Sequence, residues 1–155
     1  MSIFYLDTSA IVKRYFPETG TGWIQKLADP GSGNTLLLGE LTLAETAAVI
    51  AAKQRSSGGI TLVERDAILQ RFLQHCNDEY VLVPIERKIV DRAVLLTQQH
   101  RLRGYDAVQL AVALLVNKYY HSARMPGLTF VAADDDLVAA ARAEGLATED
   151  PNNYP

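Results

Sequence analysis

The sequence predicts an α/β fold, a mostly parallel central sheet of about four to five strands with helices on both faces. Three observations predict it. Short continuous apolar runs recur at Ile3 to Leu6, Thr35 to Leu38, Tyr80 to Val83 and Leu128 to Ala132, the pattern of strands buried on both faces. Longer segments with helical apolar spacing separate them. Two of the runs lead directly to an acidic residue suited to opening a helix, Asp7 after the first and Asp134 after the last.

The elements follow in order. Ile3 to Leu6 ends on Asp7 and gives way to a helix over Ser9 to Phe16, broken by Pro17. A second short helix is expected from about Gly22 to Ala28, with Trp23, Ile24 and Leu27 inward, before the turn cluster Asp29 to Gly33. Thr35 to Leu38 leads through Thr42 into a long helix over about Leu43 to Arg55. After the loop Ser56 to Gly59, Thr61 and Glu64 fit a capping box before a helix carrying Phe72 and Leu73, and the two helices read as a hairpin. Pro84 ends the Tyr80 to Val83 strand, and Ile89, Ala93, Val94 and Leu96 mark the next helix. Tyr105 to Asn117 is apolar on nearly every face and belongs at the centre of the fold. A polar insert at His121 to Gly127 precedes the Leu128 to Ala132 strand, and Asp134 to Glu144 is the last helix, stopped by Gly145. The expectation is one domain over residues 1–148 and a loose polar tail over 149–155.

Composition narrows the function classes. With 155 residues, 48% hydrophobic and 21% charged, the chain suits one ordinary globular domain. A formal net charge of -3 gives no bulk attraction for nucleic acid, so phosphate binding would need local basic residues or a bound cation. The single Cys76 excludes an internal disulfide, and Asp7 interrupts the N-terminal apolar run too early for a signal peptide; both favour the cytoplasm. The longest apolar stretch, Ala107 to Val116, falls short of the roughly 20 residues that cross a bilayer. No membrane association is expected. His75, His100 and His121 lie in separate segments without zinc spacing and read as surface histidines.

In a parallel sheet with right-handed crossovers, the strand ends that enter helices share one edge, where ligands bind. Asp7 and Asp134 belong on that edge. Glu45 falls in the first turn after the second strand, and Asp106 opens the central helix. Each acid also has a structural role to offer: Asp caps helices, acids suit a first turn, and Thr42 to Glu45 matches a capping box. Together the acids need more. Two unit charges about 4 Å apart repel by roughly 4 kcal/mol at an effective dielectric near 20, and Mg²⁺ or Mn²⁺ is the strongest compensator.

Four stretches carry a family resemblance: Leu6-Asp7-Thr8-Ser9-Ala10-Ile11-Val12-Lys13, Leu43-Ala44-Glu45, Tyr105-Asp106-Ala107-Val108-Gln109-Leu110-Ala111, and Phe130-Val131-Ala132-Ala133-Asp134 with Leu137. In their order and spacing, over nearly the whole chain, they resemble a PIN-domain protein of the VapC type, the toxin half of bacterial toxin-antitoxin pairs. That resemblance implies a metal-dependent endoribonuclease in which Asp7, Glu45, Asp106 and Asp134 hold Mg²⁺ or Mn²⁺ and cut RNA. It implies 5′-phosphate and 3′-hydroxyl products, a cognate antitoxin that inserts a peptide into the acidic pocket, and a toxin homodimer. Two departures stand out. Ala132 occupies a position where the family often has a hydroxyl residue, and Asp135 and Asp136 are additional ligand candidates beside Asp134. Thr8 and Ser9 are candidates to support the ligands, although helix capping accounts for them equally well. An acidic pocket repels RNA, so Lys13, Arg14, Arg101 and Arg103 are the candidates for phosphate contacts, against the alternative of solvated helix faces.

Other phosphate chemistries match poorly. A haloacid-dehalogenase-type phosphatase wants a second Asp where Ser9 stands, and a phospho-acceptor receiver wants an early acidic pair and a late strand-end Lys. The remaining alternatives are a non-catalytic module of the same fold that binds RNA or protein, supported by Ala132, and a housekeeping nuclease without an antitoxin.

Overall fold

The computed structural model describes every residue, Met1 to Pro155. Five strands form one sheet in the order β3-β2-β1-β4-β5: β1 (Ile3–Leu6), β2 (Thr35–Gly39), β3 (Tyr80–Val83), β4 (Thr129–Val131) and β5 (Ala147–Glu149). Every neighbouring pair is parallel. Seven α-helices connect and cover them: α1 (Thr8–Ile11), α2 (Thr21–Leu27), α3 (Leu41–Arg55), α4 (Leu62–Asp78), α5 (Arg87–Gln99), α6 (Gly104–Ser122) and α7 (Asp135–Ala143).

The strands are uninterrupted apolar runs because both faces are buried. Successive residues alternate sides. Ile3, Tyr5, Leu37 and Phe130 join a core cluster with α5, α6 and α7, whereas Leu6, Leu36, Leu38 and Val131 join a second cluster with Ile11, Ile24, Ile50 and Phe72. β1 lies at the centre, where the order of connection reverses from β2 on one side to β4 on the other. Such a switch point opens a crevice beyond the carboxyl ends of the strands. The register Tyr5 to Phe130 and Leu6 to Val131 brings the ends of β1 and β4 level, and the Asp7 amide donates to the Val131 carbonyl at 3.1 Å.

Several elements differ from the sequence expectation. α1 is a single turn that tightens into a 3-10 turn over Val12–Arg14. α6 runs through His121 to Ser122, so the expected polar insert begins later. The tail is not loose. Ala147–Glu149 pairs with β4 as an edge strand, Pro151 is buried, and the Tyr154 ring stacks on Trp23 with centroids 4.4 Å apart. A three-residue strand is too short to show a periodic signal, and the stacking depends on two residues far apart in sequence. The Thr61 and Glu64 capping box forms as expected, with Thr61 N–H donating to Glu64 at 2.7 Å and Glu64 N–H donating to Thr61 at 3.2 Å.

Candidate functional site

Asp7 leaves the end of β1 and caps α1. Its Oδ1 accepts from the Ala10 amide at 3.0 Å and from the Ser9 hydroxyl at 2.6 Å. The side chain is buried. Burial disfavours the charged form and pushes this carboxyl up to about 7, against the pull of the Ser9 and Ala10 bonds, and the charge of Asp106 acts in the same upward direction.

Glu45 arrives differently from the capping-box reading. α3 begins at Leu41 with Glu40 at its cap and no side-chain capping bond, so Thr42 and Glu45 lie inside the helix. Both side chains enter a polar network instead. Thr42 is fully buried and accepts from Gln109 Nε2 at 2.9 Å. Glu45 Oε2 accepts from the Thr8 hydroxyl and from Gln109 Nε2, the latter at 3.3 Å. Glu45 Oε1 is buried and has no hydrogen-bond partner.

Asp106 sits in the first turn of α6, its Oδ2 3.2 Å from Arg103 Nε. Asp134 caps α7 by accepting from the Leu137 amide at 2.9 Å. Ser9 joins the first and last motifs, donating to Asp7 while accepting from the Ala133 amide at 2.9 Å. Capping therefore accounts for the conformations of Asp7 and Asp134 but not for the placement of Glu45.

Asp7, Glu45, Asp106 and Asp134 line one cavity of about 350 Å³, with Thr8, Ser9, Arg103 and Tyr105 on its walls. As the side chains stand, no three acidic, histidine or cysteine residues form a ready ligand set. Asp106 is drawn to Arg103, and Asp134 to its own helix. The chemistry of the cavity nevertheless fits a hard divalent cation. Its donors are oxygens, the choice of Mg²⁺ and Mn²⁺ rather than of softer metals. Glu45 Oε1 is a buried acceptor lacking a donor, and Asp7 is a desolvated carboxylate; a cation satisfies both.

The other candidates separate clearly. Asp135 and Asp136 are exposed in the first turn of α7 and do not line this cavity; Asp136 lies 3.9 Å from Arg101. Lys13 and Arg14 do not fit a phosphate-binding role. Lys13 is buried, donating to the Thr19 carbonyl at 2.9 Å beside Glu18 at 3.6 Å. Arg14 is largely buried against Glu79 at 2.6 Å and the Tyr80 hydroxyl. Arg101 and Arg103 remain on the surface, with side chains 94% and 68% exposed. Both line a second cavity of about 460 Å³ that shares Arg103, Asp106 and Asp134 with the first. Two of the histidines are half-buried and engaged rather than free on the surface: His75 Nδ1 lies 2.8 Å from the Tyr15 hydroxyl and His100 Nε2 2.9 Å from Glu144. Ala132 is fully buried in the apolar cluster beneath α6 and α7.

Sequence reasoning missed Tyr5, Thr42 and Gln109 as a connected group. The available signal was Gln109, a polar residue in an otherwise apolar stretch, which by spacing alone reads only as a break in that stretch.

Residues 4–143 match the PIN domain family. The chain belongs to the PIN domain family. A search of curated proteins returns no significant match. Among solved structures, the PIN domain is similar to VapBC2 from Rickettsia felis bound to a DNA fragment from its promoter, with TM-score 0.62 and 15% identity over 96% of this chain and 98% of that one. It is similar to FitAB bound to the IR36 DNA fragment, with TM-score 0.61 and 16% identity over 99% and 97% of the two chains. Mycobacterium tuberculosis VapC20, a sarcin-ricin loop cleaving toxin, matches with TM-score 0.60 and 15% identity over 90% and 95%. At these identities the likeness establishes the shared PIN fold. No helix is long and apolar enough to cross a membrane.

Proposed function

We propose that this PIN domain is a divalent-metal-dependent endoribonuclease and the toxin of a toxin-antitoxin pair. The observation that carries this reading is the meeting of Asp7, Glu45, Asp106 and Asp134, from four separate parts of the chain, around one cavity that holds a buried acceptor without a donor. Similarity in fold to VapC20, FitAB and VapBC2 supports the substrate class and a protein partner. In this reading the four acids hold Mg²⁺ or Mn²⁺, and Thr8 and Ser9 support Glu45 and Asp7. The chemistry a divalent cation supplies when bound there is activation of water and neutralisation of charge on phosphate oxygens. Arg101 in the adjoining cavity, and Arg103 on the wall that the two cavities share, hold the RNA backbone at the edge of the acidic centre. The antitoxin and a second toxin copy are the proposed protein partners, and the unpaired Cys76 fits a reducing cytoplasm.

The test is RNA cleavage by the purified chain with Mg²⁺ or Mn²⁺, with chelator, and after Asp7→Asn. Cleavage in the presence of either metal, absent in the other two arms, supports the reading. Equal activity in all arms sinks it.

The arginines make a separate prediction. Replacing Arg101 and Arg103 with Ala is expected to flatten the dependence of log RNA affinity on log salt by about 0.7 for each phosphate left without its cationic partner. An unchanged slope returns both residues to the solvated surface.

A further inference from the structure

Gln109 is 2% exposed in α6, where the other buried side chains, Ala107, Leu110, Ala111, Val112 and Ala113, are apolar. Leucine would fill such a position without desolvating an amide. Every polar atom of Gln109 is in use. Nε2 donates to Thr42 Oγ1 at 2.9 Å and faces Glu45 Oε2 at 3.3 Å, and Oε1 accepts from the Tyr5 hydroxyl at 2.5 Å. Chemistry fixes the direction of this chain. Glu45 Oε2 accepts, so the amide NH₂ faces it, the amide carbonyl faces Tyr5, and the Tyr5 hydroxyl donates. Tyr5 is itself held firmly. It is fully buried and stacked on Phe130, with ring centroids 5.6 Å apart and planes 9° from parallel. Gly39 approaches so closely that a Cβ there would stand 2.8 Å from Tyr5 Oη.

We infer that Tyr5 and Gln109 are positioning residues: through hydrogen bonds running from Tyr5 to Gln109 to Glu45 Oε2, they fix the Glu45 carboxylate so that Oε1 is kept for a divalent cation. This inference rests on the metal-site reading above. It explains why one oxygen of Glu45 has donors from Thr8 and Gln109 whereas the other has none. Residues behind metal ligands act in this way, setting the orientation of the ligand rather than touching the ion.

The test compares the full chain with Gln109→Leu and Tyr5→Phe, measuring Mn²⁺ affinity by electron paramagnetic resonance of the free ion, and kcat and KM for RNA. Gln109→Leu is expected to weaken Mn²⁺ binding about 10- to 100-fold and to lower kcat with KM for RNA unchanged. Tyr5→Phe, which keeps the ring and its stack, acts in the same direction and carries the test if Gln109→Leu does not fold. In a Glu45→Ala background, Gln109→Leu should cause no further loss of Mn²⁺ affinity, because it acts through Glu45. An equal loss with and without Glu45, or wild-type affinity in both single variants, overturns the inference. A wild-type chain that takes up no Mn²⁺ overturns the metal reading itself, and the relay's role with it, before any variant is compared.

Discussion

Replacing Asp7 with Asn is expected to stabilise the metal-free protein at pH 8 while removing the metal-dependent cleavage proposed for it. The carboxyl is raised from about 3.8 to about 7 by burial. For a raised acid, the protonated form suits the fold. Its contribution is fully present below pH 3.8 and is lost as pH rises through 7. Above that range the metal-free fold carries an ionised, desolvated carboxylate at a cost on the order of a few kcal/mol. Asn retains an oxygen for the Ser9 and Ala10 bonds and carries no charge. Urea unfolding in chelator should therefore show wild-type stability falling between pH 5 and pH 8 relative to the Asn variant, which lacks the Asp7 titration. Mn²⁺ should restore the wild type at pH 8, by about 2.7 kcal/mol at a free concentration 100 times Kd, and should do little for the variant. RNA cleavage should fall by at least about 100-fold, since even the groups behind a ligand are worth 10- to 100-fold. A variant no more stable than wild type at pH 8 would contradict the account of Asp7 as a strained carboxylate.

The largest loss of stability is expected from Phe130→Ala. Phe130 is fully buried, stacks on Tyr5 across the β1 and β4 register and belongs to the larger core cluster. Truncating a buried aromatic costs about 3–5 kcal/mol through lost transfer energy and the cavity left behind, a large share of the 5–15 kcal/mol that typically holds a domain together. The same change frees the Tyr5 ring. Asp7 and Asp134 lie beyond the ends of this strand pair, so the loss should reach the site as well as the core. Phe130→Leu fills most of the volume and should recover much of the stability but not the stack. Chemical unfolding of the two variants measures this directly; a cost below about 1 kcal/mol for Phe130→Ala would show that the site edge of the sheet is held by something else.

The sheet was legible because its strands are buried on both faces, and a short continuous apolar run such as Leu36 to Leu38, preceded by turn residues, suits a doubly covered strand better than any other element. Asp7 was legible for the same reason, as a charge that such a run leads into. Glu45 was visible as a motif residue but not in its environment. The chain turns into α3 just before Thr42, so a pattern that reads as a cap becomes the helix interior. Lys13 shows the opposite failure: a charged residue beside a motif looked available, yet its ammonium is taken up by the Thr19 carbonyl and Glu18. Gln109 and Tyr5 are 104 residues apart, and no local spacing announces their bond. The docked tail failed for a similar reason, since Tyr154 finds Trp23 only after the sheet has brought the two ends of the chain together.

Calorimetric titration of the wild-type chain with Mn²⁺, beside Asp7→Asn and Glu45→Ala, decides whether the acidic cavity holds a cation. Saturable binding by the wild type is expected, strongly weakened in both variants, because the two residues share one cavity. Absence of binding by the wild type, or equal binding by all three proteins, would contradict a cation site there.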